Sequence, residues 1–324
     1  KSVGNVIESQ TIIDREGAEI LRLWVASEDY TEDVRISEEI LERLVEAYRR
    51  IRNTSRFILG NLYDFGPETD AVPYPEMAEM DRWILHRLQE VIRRVREAYE
   101  QYQFHVVFTT LYNFCTVDLS ALYLDVLKDR LYTSKAASTA RRSAQTAMGE
   151  ILEAMVRLMA PILTFTAEEV WLALPARPGR AESVHLTQFP EVNESFLRPE
   201  LGETWKTLIA IKGEAAKAIE AARQTKVLGH SLDAAVAFAA PDKIRTLLET
   251  HAQDLRALLI VSDLSVVDER DLGATPYRST EIPGLLVGVS RAMGTKCNRC
   301  WNYSGTVGQN PEHPTLCARC VGNL

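Results

Sequence analysis

The sequence predicts a mainly α protein: a helical bundle, then a small α/β module, then a C-terminal ribbon closed by four cysteines. Three observations carry that expectation. Apolar residues recur at helical spacing from Ser37 to Pro175. Helix and strand patterns then alternate from about residue 196. Two C-x-x-C pairs lie in the last 28 residues. The boundaries expected are 1–34 for a junction segment, 35–195 for the bundle, 196–288 for the α/β module and 289–324 for the ribbon. A chain of 324 residues is too long for one ordinary core, so several domains are the fair expectation.

The bundle is read from its periodicity. GAEILRLWVAS suggests a short helix with Ile20, Leu21 and Trp24 on one side. From Ser37 to about Leu62, the positions Leu41, Leu44, Tyr48, Ile51, Ile58 and Leu62 share a helical face. After a proline-containing loop (GPETDAVPYP), a long helix is expected from about Pro75 to Tyr102. A helix over about His105–Leu127 is apolar on most sides and should sit centrally. Another runs from Thr139 to Met159 and stops before Pro161. Thr166-Ala-Glu-Glu169 has capping-box spacing, which would open a short helix ending before Pro175.

The later pattern differs. An extended piece, VHLTQFP, leads to a helix over about Glu203–Arg223 and an apolar strand from Ala234 to Ala239. Pro241 then starts a helix to about Leu258, LLIVSDLSVVD reads as a strand, and Leu272 to Gly284 is rich in turn formers.

Composition sets the class. An apolar fraction of 46% and a charged fraction of 25% suit a soluble globular protein. No apolar run reaches the length of a membrane span, and KSVGN is no signal peptide, so the cytoplasm is the expected compartment. The net charge of −8 does not exclude nucleic acid, because a binding face needs only local excess. RRIRNTSR (49–56) carries four arginines and no acid, and KDRLYTSKAASTARR (128–142) holds five basic residues and one acid. Arg49, Arg52, Asn53 and Arg56 fall at i, i+3, i+4 and i+7, one stripe away from the apolar face. Either cluster alone reads better as a solvated helix face; the two together, with aromatic neighbours, make a binding face competitive.

The tail reads Cys297-Asn-Arg-Cys300, sixteen residues, then Cys317-Ala-Arg-Cys320. This is the spacing of a zinc site made of four cysteines. Each knuckle turns two thiolates toward one point, and four thiolates leave no open position for water. The zinc is therefore expected to be structural, and the short segment should need it to fold. Redox pairs or disulfides are the competing reading, but the Gly, Asn and Pro context is not a strand–helix junction. Arg299 and Arg319 hold equivalent places in the two knuckles, and Trp301 follows the first. They suit phosphate contact and base stacking, or else Trp301 covers the metal. Cys115 suggests a small core residue, and His105, His185 and His230 share no metal spacing.

These residues carry a resemblance. YRRIRNTSRFILGNL, DRWILHRL, YLDVLKDRLY, APILTFTAEEVW and the terminal CNRCW…CARC are similar to successive motifs of the class I aminoacyl-tRNA synthetases for branched aliphatic amino acids. The resemblance is strongest to the bacterial-type isoleucine enzymes, because the valine and leucine enzymes typically lack the cysteine tail. It runs over essentially the whole chain. It implies a helical anticodon-binding domain, one structural zinc and tRNA(Ile) as partner, with no membrane and no obligate protein partner, in a monomer. It also implies a parent enzyme that activates isoleucine with ATP and transfers it to tRNA. KSVGN is similar to the end of the family's KMSKS loop, with Lys1 and Ser2 at matching positions and the first three residues missing. In the family the loop's second lysine stabilises the pyrophosphate electrostatically, so this chain alone is expected to be inert in catalysis. The tRNA contacts expected are Arg49, Arg52, Asn53, Arg56, Lys128 and Arg130, with Arg299, Trp301 and Arg319 from the ribbon. The alternatives are a freestanding nucleic-acid-binding zinc-ribbon protein and the corresponding part of a valine–tRNA ligase.

Overall fold

The computed structural model describes residues 8–273 and 275–324, and Lys1 and Ser2 lie outside the described residues. The chain divides into two units, one of residues 1–127 and 136–198, the other of residues 128–135 and 199–324.

In the first unit, α1 (Ser9–Glu16) and α2 (Ala18–Ser27) meet at Gly17, whose φ of +92° is open to glycine. The inward face of α2 is Ile20, Leu23 and Ala26; Leu21 and Trp24 are only partly buried, because packing favours the i, i+3 row over the one expected. Helix α3 (Glu38–Asn61) starts where Ser37 Oγ accepts the Ile40 N–H at 3.2 Å, with two glutamates in the first turn. It buries Leu41, Leu44, Ile51 and Ile58. Helix α4 (Glu79–Glu100) buries Trp83, Ile84, Leu88, Val91 and Val95.

Helix α5 (Phe104–Asn113) continues through a π-helical stretch, Phe114–Tyr123, into α6 (Leu124–Thr133). The helical path is thus longer than the pattern suggested and wider in its middle. The stretch buries Cys115, Leu119 and Leu122, and the Tyr123 hydroxyl donates to Asp81 at 2.8 Å. A wider turn rotates the side chains that follow it, a placement that a regular 3.6-residue count misses. Asp81 is fully buried on α4 and also accepts the Ser143 hydroxyl at 2.5 Å. Ser143 lies on α7 (Thr139–Met159), a central helix lined by Met148, Ile151, Leu152 and Met155.

Helix α8 (Thr164–Ala173) begins differently from expectation. Thr166 lies inside it, and its N–H goes to the carboxylate of Glu19 on α2 at 3.1 Å. Glu169 is exposed and sits 3.6 Å from Arg52. The capping-box reading of Thr166 and Glu169 is therefore corrected: a tertiary carboxylate supplies the cap. The VHLTQFP piece is not fully extended either, since Val184–Leu186 form a 3-10 turn held by Glu168 on the Ser183 hydroxyl and the Val184 N–H, both at 3.0 Å.

The second unit is built on α9 (Pro199–Gln224) and a four-stranded sheet. Strand β1 (Ala234–Ala239) is followed by α10 (Asp242–Thr250) and α11 (Ala252–Leu259), two helices where one was expected, broken at His251. Strand β2 (Asp263–Val266) returns parallel to β1, as a helical crossover permits. Strands β3 (Tyr277–Arg278) and β4 (Leu286–Arg291) complete the order β2-β1-β4-β3. The sequence reading missed β4, although it pairs antiparallel with β1 along its length, Val236 opposite Val289 and Phe238 opposite Val287. Its run LLVGVSR follows Gly284 and contains a glycine, which weakens the strand signal. Here Gly288 lies against Leu272, whose carbonyl is 3.0 Å from where a Cβ would stand. The described residues contain no helix long and apolar enough to cross a membrane.

Candidate metal centre and nucleic-acid face

The four-cysteine segment folds around its own hairpin. Strands β5 (Thr295–Lys296) and β6 (Tyr303–Ser304) pair antiparallel and present the first knuckle between them. The second knuckle opens the short helix α12 (Ala318–Val321). Gly294 enters the hairpin at φ +95°, and a Cβ there would stand 2.4 Å from the Ser304 carbonyl carbon, so only glycine fits. The Cys297 N–H donates to Asn302 O, and the Trp301 N–H to Cys297 O, both at 2.9 Å. The Cys317 N–H points at the Cys297 sulfur at 3.3 Å, which ties the knuckles together.

The four sulfurs lie within 4.8 Å of one another, and Cys300 and Cys317 are 3.8 Å apart. A tetrahedron with zinc–sulfur bonds of about 2.3 Å has edges of about 3.8 Å, so the donor set fits zinc in size and in softness. All four cysteines are buried, with Val307 and Leu316 packed against them. Burial pushes the thiols of Cys317 and Cys320 up. It acts on Cys297 too, but N–H groups of Cys300, Cys317 and Arg299 outweigh it and bring that thiol down to about 6. A site with one thiol already inclined to ionise, and donors aimed at its sulfur, is suited to stabilising thiolates on a cation.

Of the sequence-predicted contact residues, Arg49, Arg52, Asn53 and Arg56 are all exposed on α3. Arg52 makes the loose pair with Glu169, while the side chains of Arg49, Asn53 and Arg56 have no hydrogen-bond or ion-pair partner among the described residues. The second basic cluster is less of a surface than its sequence suggested. Arg141 is buried and bidentate to Asp64, at 2.6 and 2.9 Å, and Arg142 is 3.3 Å from Asp70. The Arg141 guanidinium also holds the Asp64 carboxyl below the usual carboxylate range. Lys128 is exposed and Arg130 half-buried.

The ribbon residues divide. Trp301 has φ +64°, is 57% exposed, and has the Lys296 ammonium 5.7 Å from its ring centre, so Val307 and Leu316, rather than the indole, are the side chains packed on the cysteines. Arg299 and Arg319 turn to residues 128–135: Arg319 pairs with Asp129 at 2.5 and 2.8 Å, and Arg299 donates to the Thr133 carbonyl at 3.2 Å. Asp129 was the one acid in a run read as basic, which was the available signal for such a partner. Cys115 is buried and its thiol is pushed up to about 12, which makes it a poor nucleophile. His185 and His230 are exposed and His105 half-buried.

Comparison with known proteins accords with this architecture. Residues 81–238 match a model of the anticodon-binding domain of tRNA ligases, and residues 294–322 match the zinc finger found in FPG and IleRS. Residues 1–37 match the class I tRNA synthetases for I, L, M and V. Over its full length the chain is 51% identical to an isoleucine–tRNA ligase of Syntrophotalea carbinolica, of which it spans 34%. Relatives of the same description from Geobacter sulfurreducens and Moorella thermoacetica are each 50% identical over 99% of the chain, which spans 34% and 35% of them.

Throughout its length the chain is similar to isoleucine–tRNA ligases.

It corresponds to about a third of the length of these ligases, the C-terminal part. A ternary complex of LeuRS from Agrobacterium radiobacter K84 aligns with a TM-score of 0.46 and 19% identity, over 61% of this chain and 22% of that one. The four cysteines lie inside the zinc-finger match and fit one structural zinc.

Proposed function

We propose that this chain is the tRNA-recognition part of an isoleucine–tRNA ligase, with tRNA(Ile) as its partner. The observation that carries the reading is full-length identity of about one half to isoleucine–tRNA ligases, including both the anticodon-binding and zinc-finger matches. In this reading residues 35–195 form the anticodon-binding body, 196–288 the α/β module and 289–324 the ribbon, in a cytoplasmic monomer. Activation of isoleucine with ATP, and transfer to tRNA, belong to the part of the relatives that this chain does not span. In this reading Lys1 and Ser2 are the matching end of the KMSKS loop.

The exposed stripe Arg49, Arg52, Asn53 and Arg56 supplies three cations on one face of α3, with Glu169 near Arg52 and Glu46 one turn before Arg49. Phosphates meet such a stripe by charge, and bases unstacked from an anticodon loop are read by hydrogen bonds and stacking. Lys128, Arg130 and the exposed Trp301 ring extend the contact set. Cys297, Cys300, Cys317 and Cys320 hold the zinc, which supplies rigidity rather than chemistry. The test is tRNA binding by the zinc-loaded chain: tRNA(Ile) should be preferred over other tRNAs, and isoleucine-dependent ATP–pyrophosphate exchange should be absent. Equal binding of all tRNAs, or measurable exchange, overturns the reading.

A further inference from the structure

We propose that Arg299 and Arg319 act as positioning residues, clamping the metal ribbon onto the end of α6 so that Lys128 and Arg130 are held in place for RNA. The inference rests on the tRNA-binding reading above for its last step only. Its geometry is independent of that reading.

The two arginines occupy the same place in successive knuckles, between the two cysteines of each pair. Both reach one turn of helix: Arg319 takes both carboxylate oxygens of Asp129, and Arg299 takes the carbonyl of Thr133, four residues on. Thr133 is the last residue of α6, so its carbonyl is one of those left without a partner inside the helix. A guanidinium there satisfies the carbonyl and meets the negative end of the helix dipole. Asp129 is further fixed by the Thr133 hydroxyl, at 3.3 Å, and that hydroxyl also donates to the Asp129 carbonyl at 2.8 Å. The helix end is thus gripped at two points one turn apart.

The grip depends on the metal centre. Arg319 also interacts with the Cys300 thiol, so its fork lies between a zinc ligand and Asp129. Four thiolates around a divalent cation leave a net negative charge, which favours a guanidinium beside it. Lys128 and Arg130 flank Asp129 in sequence, so the turn of helix that carries Asp129 carries their backbone too. An arginine already bidentate to a carboxylate has its planar donor edge committed and is a poor first contact for phosphate.

The test compares Asp129→Ala, Arg319→Ala and their double variant in the zinc-loaded chain. A clamp predicts that each single variant weakens tRNA(Ile) binding about three- to fivefold, the range of a well-formed exposed pair. The double variant should be no weaker than either single. Amides 131–135 should exchange faster in both single variants while zinc stays stoichiometric. If Asp129→Ala leaves binding unchanged or tightens it while Arg319→Ala weakens it, Arg319 contacts RNA directly and the clamp is overturned. Unchanged exchange at 131–135 overturns it as well. If Arg319→Ala loses zinc, Asp129→Ala decides, because it lies outside the ribbon. Absence of tRNA binding by the unaltered chain would count against the proposed function, and the exchange measurement would still decide the clamp.

Discussion

Glu19 caps the helix that contains Thr166, across 147 residues of sequence. One carboxylate oxygen accepts the N–H groups of Phe165, at 2.8 Å, and Thr166, at 3.1 Å, and the other accepts the Thr166 hydroxyl. The Tyr48 hydroxyl joins the group at 2.9 Å from Thr166 Oγ1, so α2, α3 and α8 meet at one buried anion. Glu19→Ala should destabilise the first unit by about 1 to 3 kcal/mol, because it leaves buried donors without an acceptor. Denaturant unfolding followed at the bundle checks this, and an unchanged midpoint would show that water replaces the carboxylate.

Arg141 and Asp64 form a second internal pair, with Arg141 6% exposed and Asp64 23%. Arg141→Met should cost about 2 to 3 kcal/mol, below the range for a fully buried pair because Asp64 keeps some contact with water. The same variant should barely alter the salt dependence of tRNA binding, since this arginine is committed inside the protein. Arg49→Ala with Arg56→Ala should do the reverse. Melting should hardly change, while the slope of log K against log salt falls by about one to two.

The pH response of the second unit centres on Glu214, buried on α9. It accepts Lys217 Nζ at 2.5 Å, the Tyr277 hydroxyl at 3.2 Å and the Ser279 hydroxyl. The Lys217 bond, then that of Ser279, holds its carboxyl at about 2, against an ordinary value of 4.5. A depressed carboxyl stabilises the fold fully above its unfolded value and loses that contribution as pH falls toward its folded value. Glu214→Gln should therefore cost about 1 to 3 kcal/mol at neutral pH. The gap between variant and parent should close as pH falls from about 5 to about 2. A gap that stays constant over that range would remove Glu214 as the cause.

Metal removal should act locally. A chelator, or Cys297→Ser, should release one zinc and free the backbone amides of the ribbon to exchange, because little apolar area besides the cysteines holds it. The bundle, with its own core, should melt as before. Collapse of both units together on chelation would refute this separation.

The stop of α7 before Pro161 and the inward faces of α3 and α4 were legible in the sequence, as was the four-cysteine centre. Each is a local pattern: a helical period, a missing N–H, a knuckle spacing. The exposed stripe on α3 was legible for the same reason, since a helix that buries Leu41, Leu44 and Ile51 must turn Arg49, Arg52, Asn53 and Arg56 outward. Strand β4 was not, because a central strand interrupted by Gly288 has little signal apart from the neighbours that pair with it.

Sequence alone therefore determined the helices of the bundle, the four-cysteine donor set that fits zinc and, through resemblance, the likeness to isoleucine–tRNA ligases. Tertiary structure decided which polar groups face inward and what they hold. Thr166 met Glu19 instead of Glu169, Arg141 turned to Asp64, and Arg319 found Asp129 across 190 residues. A helix period is set by neighbours three and four residues away, whereas the partner of a charge is chosen by packing that brings distant segments together. Such pairings obey no spacing rule, and only the folded chain displays them.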